Sequence, residues 1–529
     1  MSQPPSLFRA FATVGSYTLL SRITGFARDT LIATFLGAGL ASDAFFVAQR
    51  FPNLFRSLFA EGAFSAGFVP IFSQALERDG KDKAKEFADQ AFAVLTVVLL
   101  LFCAAMMIAM PVVLYALAPG FKEIPGQMER TTELARIAFP YLLFVSLTSL
   151  QSGVLNSLGR FAVPAAAPVL ANVTMIAALL VGVGAGGDRA LYLSWGIFAT
   201  GIVQFVWLLF DCRRVGVGFR LVRPRLTPEV KRLLARILPV AFGAGLYQVN
   251  IVINGTIASL IGVGAVSWIY YADRVNLLPV GIFGYAIGVA LLPLLTRQIQ
   301  AGQEDVALAS QNRAIEVSLL LTVPAAVGIG MLAEPITATL FEHGQFTASD
   351  RGAVAHALLA FSLGLPAYVL NKALTPGFFA RHDTSTPVKA SAVALIVNVA
   401  INIALMKSLG HVGIALGTSI SAWVNAGILG VVLHRRGHLV SDARLTRRLP
   451  RTILASGLMG VALWGGLIGI GAVFGPVFGL PGQPAGDKLL RAVALTILVC
   501  GGAAVFAIAA FATGAAARAD LQLLKRKRG

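Results

Sequence analysis

Long runs of apolar residues, separated by short polar segments, follow one another along the whole chain. Many runs reach about 20 residues or more, the length of an α-helix that crosses a lipid bilayer. The run "FAVLTVVLLLFCAAMMIAMPVVLYALA" is an unbroken example. No stretch shows the alternation of apolar and polar residues that is typical of β-barrel strands. The pattern predicts an all-α polytopic membrane protein, in which each spanning helix satisfies its own backbone hydrogen bonds.

Fourteen membrane helices are predicted, and each is numbered by its order along the chain. Their predicted spans are 7–37, 42–73, 86–117, 132–158, 163–184, 189–211, 231–261, 266–298, 311–333, 352–380, 387–408, 412–434, 450–476 and 488–514. Positions 213–236 carry eight Lys or Arg and one acid, whereas positions 334–350 carry three acids and no Lys or Arg. Because basic residues mark cytoplasmic loops, this asymmetry predicts that both termini lie in the cytoplasm.

Two parts of the chain resemble each other at a constant separation. The stretch "FFVAQRFPN" parallels "IYYADRVN", and Pro164 and Pro387 are 223 positions apart. Some transporters are built from two such parallel repeats, with the substrate site between them. The predicted division is an N-terminal lobe of six helices at 1–215, a C-terminal lobe of six helices at 216–436, and two extra helices with a basic cytoplasmic tail at 437–529.

The composition agrees with a membrane protein and limits its partners. Of the 529 residues, 57% are hydrophobic and 13% charged, about half the charged fraction of a soluble protein. The net charge of +18 could suggest nucleic acid, but the basic residues lie in short loops between apolar runs, so no nucleic-acid binding is predicted. The three cysteines are isolated from one another, so no disulfide or metal site is predicted.

The sequence contains no recognisable enzyme motif. It has no Walker A sequence, which argues against an ATP site. The stretch "GVGAGG" matches the dinucleotide pattern GxGxxG, but it ends a predicted membrane helix instead of following a strand. The sequence therefore favours a transporter without a cofactor over an enzyme.

Charged residues inside the predicted helices are the main functional signal. A charge in the middle of a membrane costs at least about 2.5 kcal/mol, so such residues usually face a cavity. The set comprises the arginines Arg22, Arg28, Arg50, Arg56 and Arg274 and the acids Asp29, Asp43, Glu61 and Asp273. Guanidinium groups bind phosphate through paired hydrogen bonds, so the arginines favour a cationic cavity for a phosphorylated substrate. The acids favour the alternative, ion pairs that only hold the bundle together.

Two further features each allow two interpretations. Gly25, between Arg22 and Arg28, is predicted to be a hinge in helix 1, and close packing against a neighbouring helix is the alternative. Helices 13 and 14 are almost wholly apolar. They could form an oily groove for a lipid tail, or pack as a peripheral pair with no further role.

Three stretches resemble the MurJ/MviN family of bacterial lipid II flippases in the MOP superfamily. They are "SRITGFARD", "SDAFFVAQRFPNLFRSLFAEGAFSAGFVPIF" and "YYADRVNLLPVGIFGYAIGVALLP". The resemblance extends over essentially the whole chain. It implies that undecaprenyl-diphosphate-linked peptidoglycan precursor is moved from the inner to the outer leaflet by alternating access between two lobes. It also implies that the last two helices form the groove for the polyprenyl tail.

The resemblance implies roles for individual residues. The essential cavity arginines of the family correspond to Arg22, Arg28, Arg56 and Arg274, and other charged family positions to Asp29, Asp43 and Glu61. Some relatives have a sodium site where this chain offers Asn250, Asn398, Asn402 and Thr418. Without a carboxylate these residues are a weak candidate ion site, and the membrane potential or another ion gradient is the expected driving force.

Three classes of function stay open on these residues. A lipid II flippase of the inner membrane, with cell-wall synthesis proteins as partners, is favoured by the arginines. A MATE-type multidrug exporter would want intramembrane acids and aromatic walls, and an exporter of another lipid-linked oligosaccharide would share the arginines. A scaffold for cell-wall or division enzymes would use the internal charges only for structure.

Overall fold

The computed structural model describes residues 7–59, 63–480 and 482–517, and all regular structure in these ranges is helical. The first nine helices are α1 (Leu7–Leu36), α2 (Leu40–Phe59), α3 (Ala63–Arg78), α4 (Gly80–Leu117), α5 (Gln127–Ala138), α6 (Tyr141–Ser157), α7 (Ala162–Gly184), α8 (Arg189–Arg214) and α9 (Pro228–Ser259). They are followed by α10 (Ala265–Pro279), α11 (Tyr285–Gln300), α12 (Glu304–Met331), α13 (Ala333–Leu340), α14 (Ala348–Ser362), α15 (Leu365–Phe379), α16 (Ser385–Leu409), α17 (His411–Arg435), α18 (Ala443–Phe474) and α19 (Lys488–Thr513).

The prediction of an all-α polytopic membrane protein is confirmed. In the described part of the chain, eleven helical segments are long and apolar enough to cross a membrane. They correspond to eleven of the predicted spans. The first, second and seventh predicted spans also form helices, namely α1, α2 with α3, and α9. The exact count of fourteen spanning helices stays a prediction.

Three predicted spans are interrupted near a proline. The fourth is divided between α5 and α6 at Pro140, and the tenth between α14 and α15, where Pro366 lies in the first turn of α15. The eighth passes through a π-helical turn at Val280–Gly284, directly after Pro279. A proline removes one backbone donor and clashes with the preceding turn, so a continuous apolar run does not guarantee a continuous helix. The second span contains α2 and α3, and residues 60–62 between these two helices are not described.

Contacts group the chain into two compact units, Met1–Val266 and Ser267–Gly529. In the first unit α7 packs on α1 and α8, and α9 packs on α2, α3 and α4. The sequence repeat assigns α9 to the second lobe, whereas its contacts group it with the first unit. The division into lobes at 1–215 and 216–436 stays a prediction that rests on the repeat.

The helix boundaries follow the spacing of the sequence repeat. Ala162 begins α7 and Ser385 begins α16, which is 223 positions later. Likewise, Gly80 begins α4 and Glu304 begins α12, 224 positions later. These helix starts have the spacing that the sequence repeat predicts.

In the second unit α18 is attached to α12 by an ionic cluster around a buried glutamate. Glu316 of α12 is almost completely buried and accepts hydrogen bonds from Arg444 (3.2 Å) and Arg448 of α18. Arg313 pairs with both Glu316 and Asp442, and Asp442 caps the first turn of α18. This cap explains why α18 begins at position 443, seven residues before its prediction.

Candidate functional site

The charged side chains of α1 form a well-defined polar group in the first unit. Arg28 donates hydrogen bonds from Nε (3.0 Å) and Nη2 (2.7 Å) to Oδ1 of Asp29, which is buried. Its Nη1 donates to Oδ1 of Asn172 in α7 at 3.0 Å. The Arg28 side chain is only 15% exposed. Two partners on different sides of the guanidinium fix the plane of the group against α1.

Asn172 is not among the residues that the sequence predicts. Its Nδ2 donates to the Ser21 carbonyl (2.9 Å) and to Oγ1 of Thr24 (3.1 Å), so it binds α1 at three points. It lies 144 positions from Arg28, and no sequence pattern connects the two residues. The one feature that could have indicated Asn172 is its amide within the otherwise apolar run "AVPAAAPVLANV". A polar side chain inside a membrane needs a partner.

Arg22 and Gly25 lie on the same stretch of α1. Arg22 is half-buried, and α1 continues as a helix through Gly25. A Cβ at Gly25 would lie 3.3 Å from Nδ2 of Asn172, so the missing side chain lets this amide approach the helix. Packing therefore accounts for this glycine, and its role as a hinge stays a prediction.

The arginines of α2 have separate neighbours. Arg50 lies against α9, where its guanidinium occupies the space that any side chain at Gly255 would fill. Arg56 donates from Nε to Oδ1 of Asn53, one turn earlier, at 3.2 Å. Both arginines are partly buried. Glu61, predicted on the same helix, lies outside the described residues.

Asp43 lies at the opposite end of α2 and is almost completely buried. Its Oδ2 accepts a hydrogen bond from the backbone N–H of Gly264 at 2.6 Å, which ties the start of α2 to the segment after α9. This contact is a hydrogen bond to the backbone, so the ion-pair interpretation of Asp43 stays a prediction.

Asp273 and Arg274 lie in α10 of the second unit, and both are half-buried. The guanidinium of Arg274 lies over the ring of Tyr270, 4.6 Å from its centroid, a distance typical of a cation–π interaction. The other predicted charges that the structure describes belong to the first unit. A cavity shared by both sets stays a prediction.

The predicted ion-site residues of the second unit bond to one another. Nδ2 of Asn402 donates to Oδ1 of Asn398 (3.2 Å), and Nδ2 of Asn398 donates to Oγ1 of Thr418 (3.4 Å). Both asparagines are fully buried. Asn250, in the first unit, accepts a hydrogen bond from Asn254 at 3.2 Å. These groups are neutral, and their role in ion binding stays a prediction.

The helix pair α18–α19 presents large apolar side chains on its surface. Leu463 of α18 packs against Gly502 of α19, and Leu498 against Gly466, so small residues bring the two helices together. The exposed apolar residues of the pair include Leu454, Leu458, Val461, Trp464, Ile468, Leu489, Val493, Ile497 and Ile508. Such a surface suits lipid or another apolar chain better than water.

Known proteins are similar to this chain in sequence and in fold. The family described as "Lipid II flippase MurJ" matches residues 32–481. A protein of Rhizobium tropici, described as "Probable lipid II flippase MurJ", is 43% identical over 526 residues, which covers 98% of this chain and 96% of its own length. This degree of identity over the full length confirms the resemblance that the three sequence stretches predict.

Solved structures agree on the fold. A structure of lipid II flippase MurJ in an inward closed conformation matches with a TM-score of 0.77 at 23% identity, over 94% of this chain and 97% of that chain. An inward-facing multidrug resistance MATE transporter of the MOP superfamily matches with a TM-score of 0.67 at 16% identity, over 79% of this chain and 94% of that chain. The likeness to both shows the fold alone, whereas the sequence match distinguishes between them. The chain therefore belongs to the MurJ family of lipid II flippases.

Proposed function

We propose that this chain moves lipid II across the bacterial inner membrane, from the cytoplasmic to the periplasmic leaflet, as a transporter and not as an enzyme. Lipid II carries a diphosphate, and Arg28 is the observation that supports this substrate most directly. Its guanidinium is held by Asp29 and Asn172 at α1, which is predicted to span the membrane. A guanidinium that is already oriented loses less freedom on binding a phosphate, so it binds more tightly than a mobile one.

The other predicted arginines complete the proposed diphosphate site. Arg22, Arg56 and Arg274 would share the charge of the substrate, with Asp43, Arg50, Glu61 and Asp273 as supporting charges. The two predicted lobes, 1–215 and 216–436, would alternate in exposing this site to the two sides of the membrane. Both termini would lie in the cytoplasm, which the basic segment 213–236 supports.

The polyprenyl tail would lie along α18 and α19. The exposed apolar side chains of this pair can cover such a tail while the diphosphate stays with the arginines. The attachment of α18 to α12 through Glu316, Arg444 and Arg448 supports this arrangement, because it holds the apolar surface on the second unit.

The proposed driving force is the membrane potential or an ion gradient. Moving one elementary charge through 100 mV is worth about 2.3 kcal/mol, which is enough to bias the movement of an anionic lipid. Proteins that make or use the precursor at the two membrane surfaces are the expected partners. A multidrug exporter is not favoured, because the intramembrane arginines would repel cationic drugs.

The test is to replace each cavity arginine in a strain that depends on this protein. Arg22→Ala, Arg28→Ala, Arg56→Ala and Arg274→Ala should each reduce the exposure of lipid II to an enzyme that acts only from outside the cell, at unchanged protein levels. Arg223→Ala is the matched control, because it removes one exposed arginine from a connecting segment. If all four variants export lipid II as well as the control does, the arginine mechanism is wrong.

A further inference from the structure

One amide connects α7 to the charged segment of α1. Oδ1 of Asn172 accepts a hydrogen bond from Nη1 of Arg28 (3.0 Å), while Nδ2 donates to the Ser21 carbonyl (2.9 Å) and to Oγ1 of Thr24 (3.1 Å). Asn172 is 7% exposed and lies about halfway along α7. A buried amide is costly in an apolar helix unless it is hydrogen-bonded, and here both ends of the amide have partners on α1.

The arrangement depends on the shape of α1 as well as on the amide. Gly25 has no side chain, and a Cβ there would approach Nδ2 to 3.3 Å. The amide therefore sits close to the helix backbone, with its donor toward Ser21 and Thr24 and its acceptor toward Arg28. Asn172 thus contacts α1 both before and after Gly25, and it holds Arg28 at a fixed distance from itself.

Asp29 and Asn172 accept hydrogen bonds from different donors of Arg28. Oδ1 of Asp29 receives Nε and Nη2, and Asn172 receives Nη1. Asp29 is the next residue of the same helix, so it supplies a local counter-charge. Asn172 comes from another helix and fixes the rotation of the guanidinium relative to the packed bundle. The recognition of a phosphate by two parallel N–H groups depends on that orientation.

We propose that Asn172 is a positioning residue for Arg28: it holds the guanidinium in the orientation that binds the diphosphate of the substrate. This inference rests on the proposed function, in which Arg28 contacts that diphosphate. Asn172 itself acts through the arginine and does not bind the substrate.

The test is a double-mutant cycle on the affinity for undecaprenyl diphosphate, measured with the full-length protein in detergent. Asn172→Ala should weaken binding about tenfold, because a hydrogen bond to a charged group is lost. In the Arg28→Ala background the same change should have almost no effect, because the arginine that it orients is absent. A merely structural role would reduce affinity equally in both backgrounds.

Control variants separate positioning from folding. Gln204→Ala removes another buried amide that contacts α7, at the Ala167 carbonyl, and should leave affinity unchanged. If Asn172→Ala does not fold, Asn172→Ser replaces it, because a serine hydroxyl can bond to the carbonyl of its own helix. The same cycle then applies with serine.

Each outcome has one meaning. Loss of affinity in Asn172→Ala that disappears in the Arg28→Ala background supports the positioning role. Unchanged affinity in Asn172→Ala, or an equal loss in both backgrounds, overturns it even when Arg28→Ala alone binds weakly. Unchanged affinity in Arg28→Ala instead contradicts the proposed function, and the positioning role fails with it.

Discussion

Nη1 of Arg351, in α14, donates a hydrogen bond to Oε2 of Glu342 at 2.9 Å, and both side chains are almost completely buried. The same guanidinium donates to the carbonyls of Leu480 (2.7 Å) and Gln483 (3.1 Å), in the loop between α18 and α19. Oε1 of Glu342 accepts the N–H of Ala485 in that loop at 2.8 Å. One buried ion pair therefore fastens the loop of the apolar helix pair to the second unit.

Removing one partner of this pair should release the loop. Arg351→Ala removes the guanidinium that is hydrogen-bonded to the buried Glu342, and breaking a buried ion pair typically costs about 3–5 kcal/mol. We expect the loop between α18 and α19 to become sensitive to a protease of broad specificity, and the apparent unfolding temperature to fall. Glu86→Gln is the control, because Glu86 and Lys83 form an exposed pair worth at most about 1 kcal/mol. Equal protease resistance of both variants would show that the loop is held by other contacts.

Acidification should weaken the same region through His343, which lies between α13 and α14. Burial lowers the pKa of His343, and the charges of Arg491 and Lys488 lower it further, although the hydrogen bond to the Thr339 carbonyl and the charge of Glu342 oppose them. An unfolded histidine titrates near pH 6.5, so between the lowered pKa and about 6.5 the unfolded chain binds more protons. The free energy of unfolding therefore rises with pH in this window and falls on acidification. Unfolding temperatures measured from about pH 8 to pH 5 should show the decline, and a His343→Gln variant with the full decline would contradict this assignment.

Most helices of this fold could be predicted because an apolar run of membrane length has one structural solution in lipid. The predicted spans of α7 and α16 begin within two residues of Ala162 and Ser385, where the helices begin. The helix break at Pro140 could not be predicted from its continuous apolar run, because hydropathy does not encode backbone direction.

The site divides in the same way. Arg28 could be predicted because a charge inside an apolar run is visible in the sequence. Its contact with Asn172 could not be predicted, and neither could the pair of Arg351 and Glu342. These contacts depend on which helices and loops pack together. Helix packing brings together residues that are far apart in the sequence, such as Arg28 and Asn172, which are 144 positions apart.

Replacing Gly25 can distinguish packing from hinge motion. A Cβ there would press on the amide of Asn172, which three hydrogen bonds hold in place, so Gly25→Ala should lower the unfolding temperature. Gly15→Ala in the same helix is the control, because a Cβ at Gly15 meets nothing within 4 Å and alanine favours helix by about 1 kcal/mol. The double variant Gly25→Ala with Asn172→Ala should recover part of the lost stability. If Gly25→Ala is as stable as Gly15→Ala but fails to export lipid II, the hinge interpretation is favoured.

Transport should depend on membrane potential and not on sodium. The side chains of Asn398, Asn402 and Thr418 are neutral and hydrogen-bond to one another, and without a carboxylate they attract a cation less strongly than a charged site does. In proteoliposomes, lipid II translocation should be equal in Na⁺ and K⁺ and should slow when the potential is collapsed, since one charge across 100 mV is worth about a 50-fold bias. Asn402→Asp, which adds a carboxylate to the cluster, is the matched comparison and should make the rate sensitive to Na⁺. If translocation by the unchanged protein already requires Na⁺, the prediction is wrong.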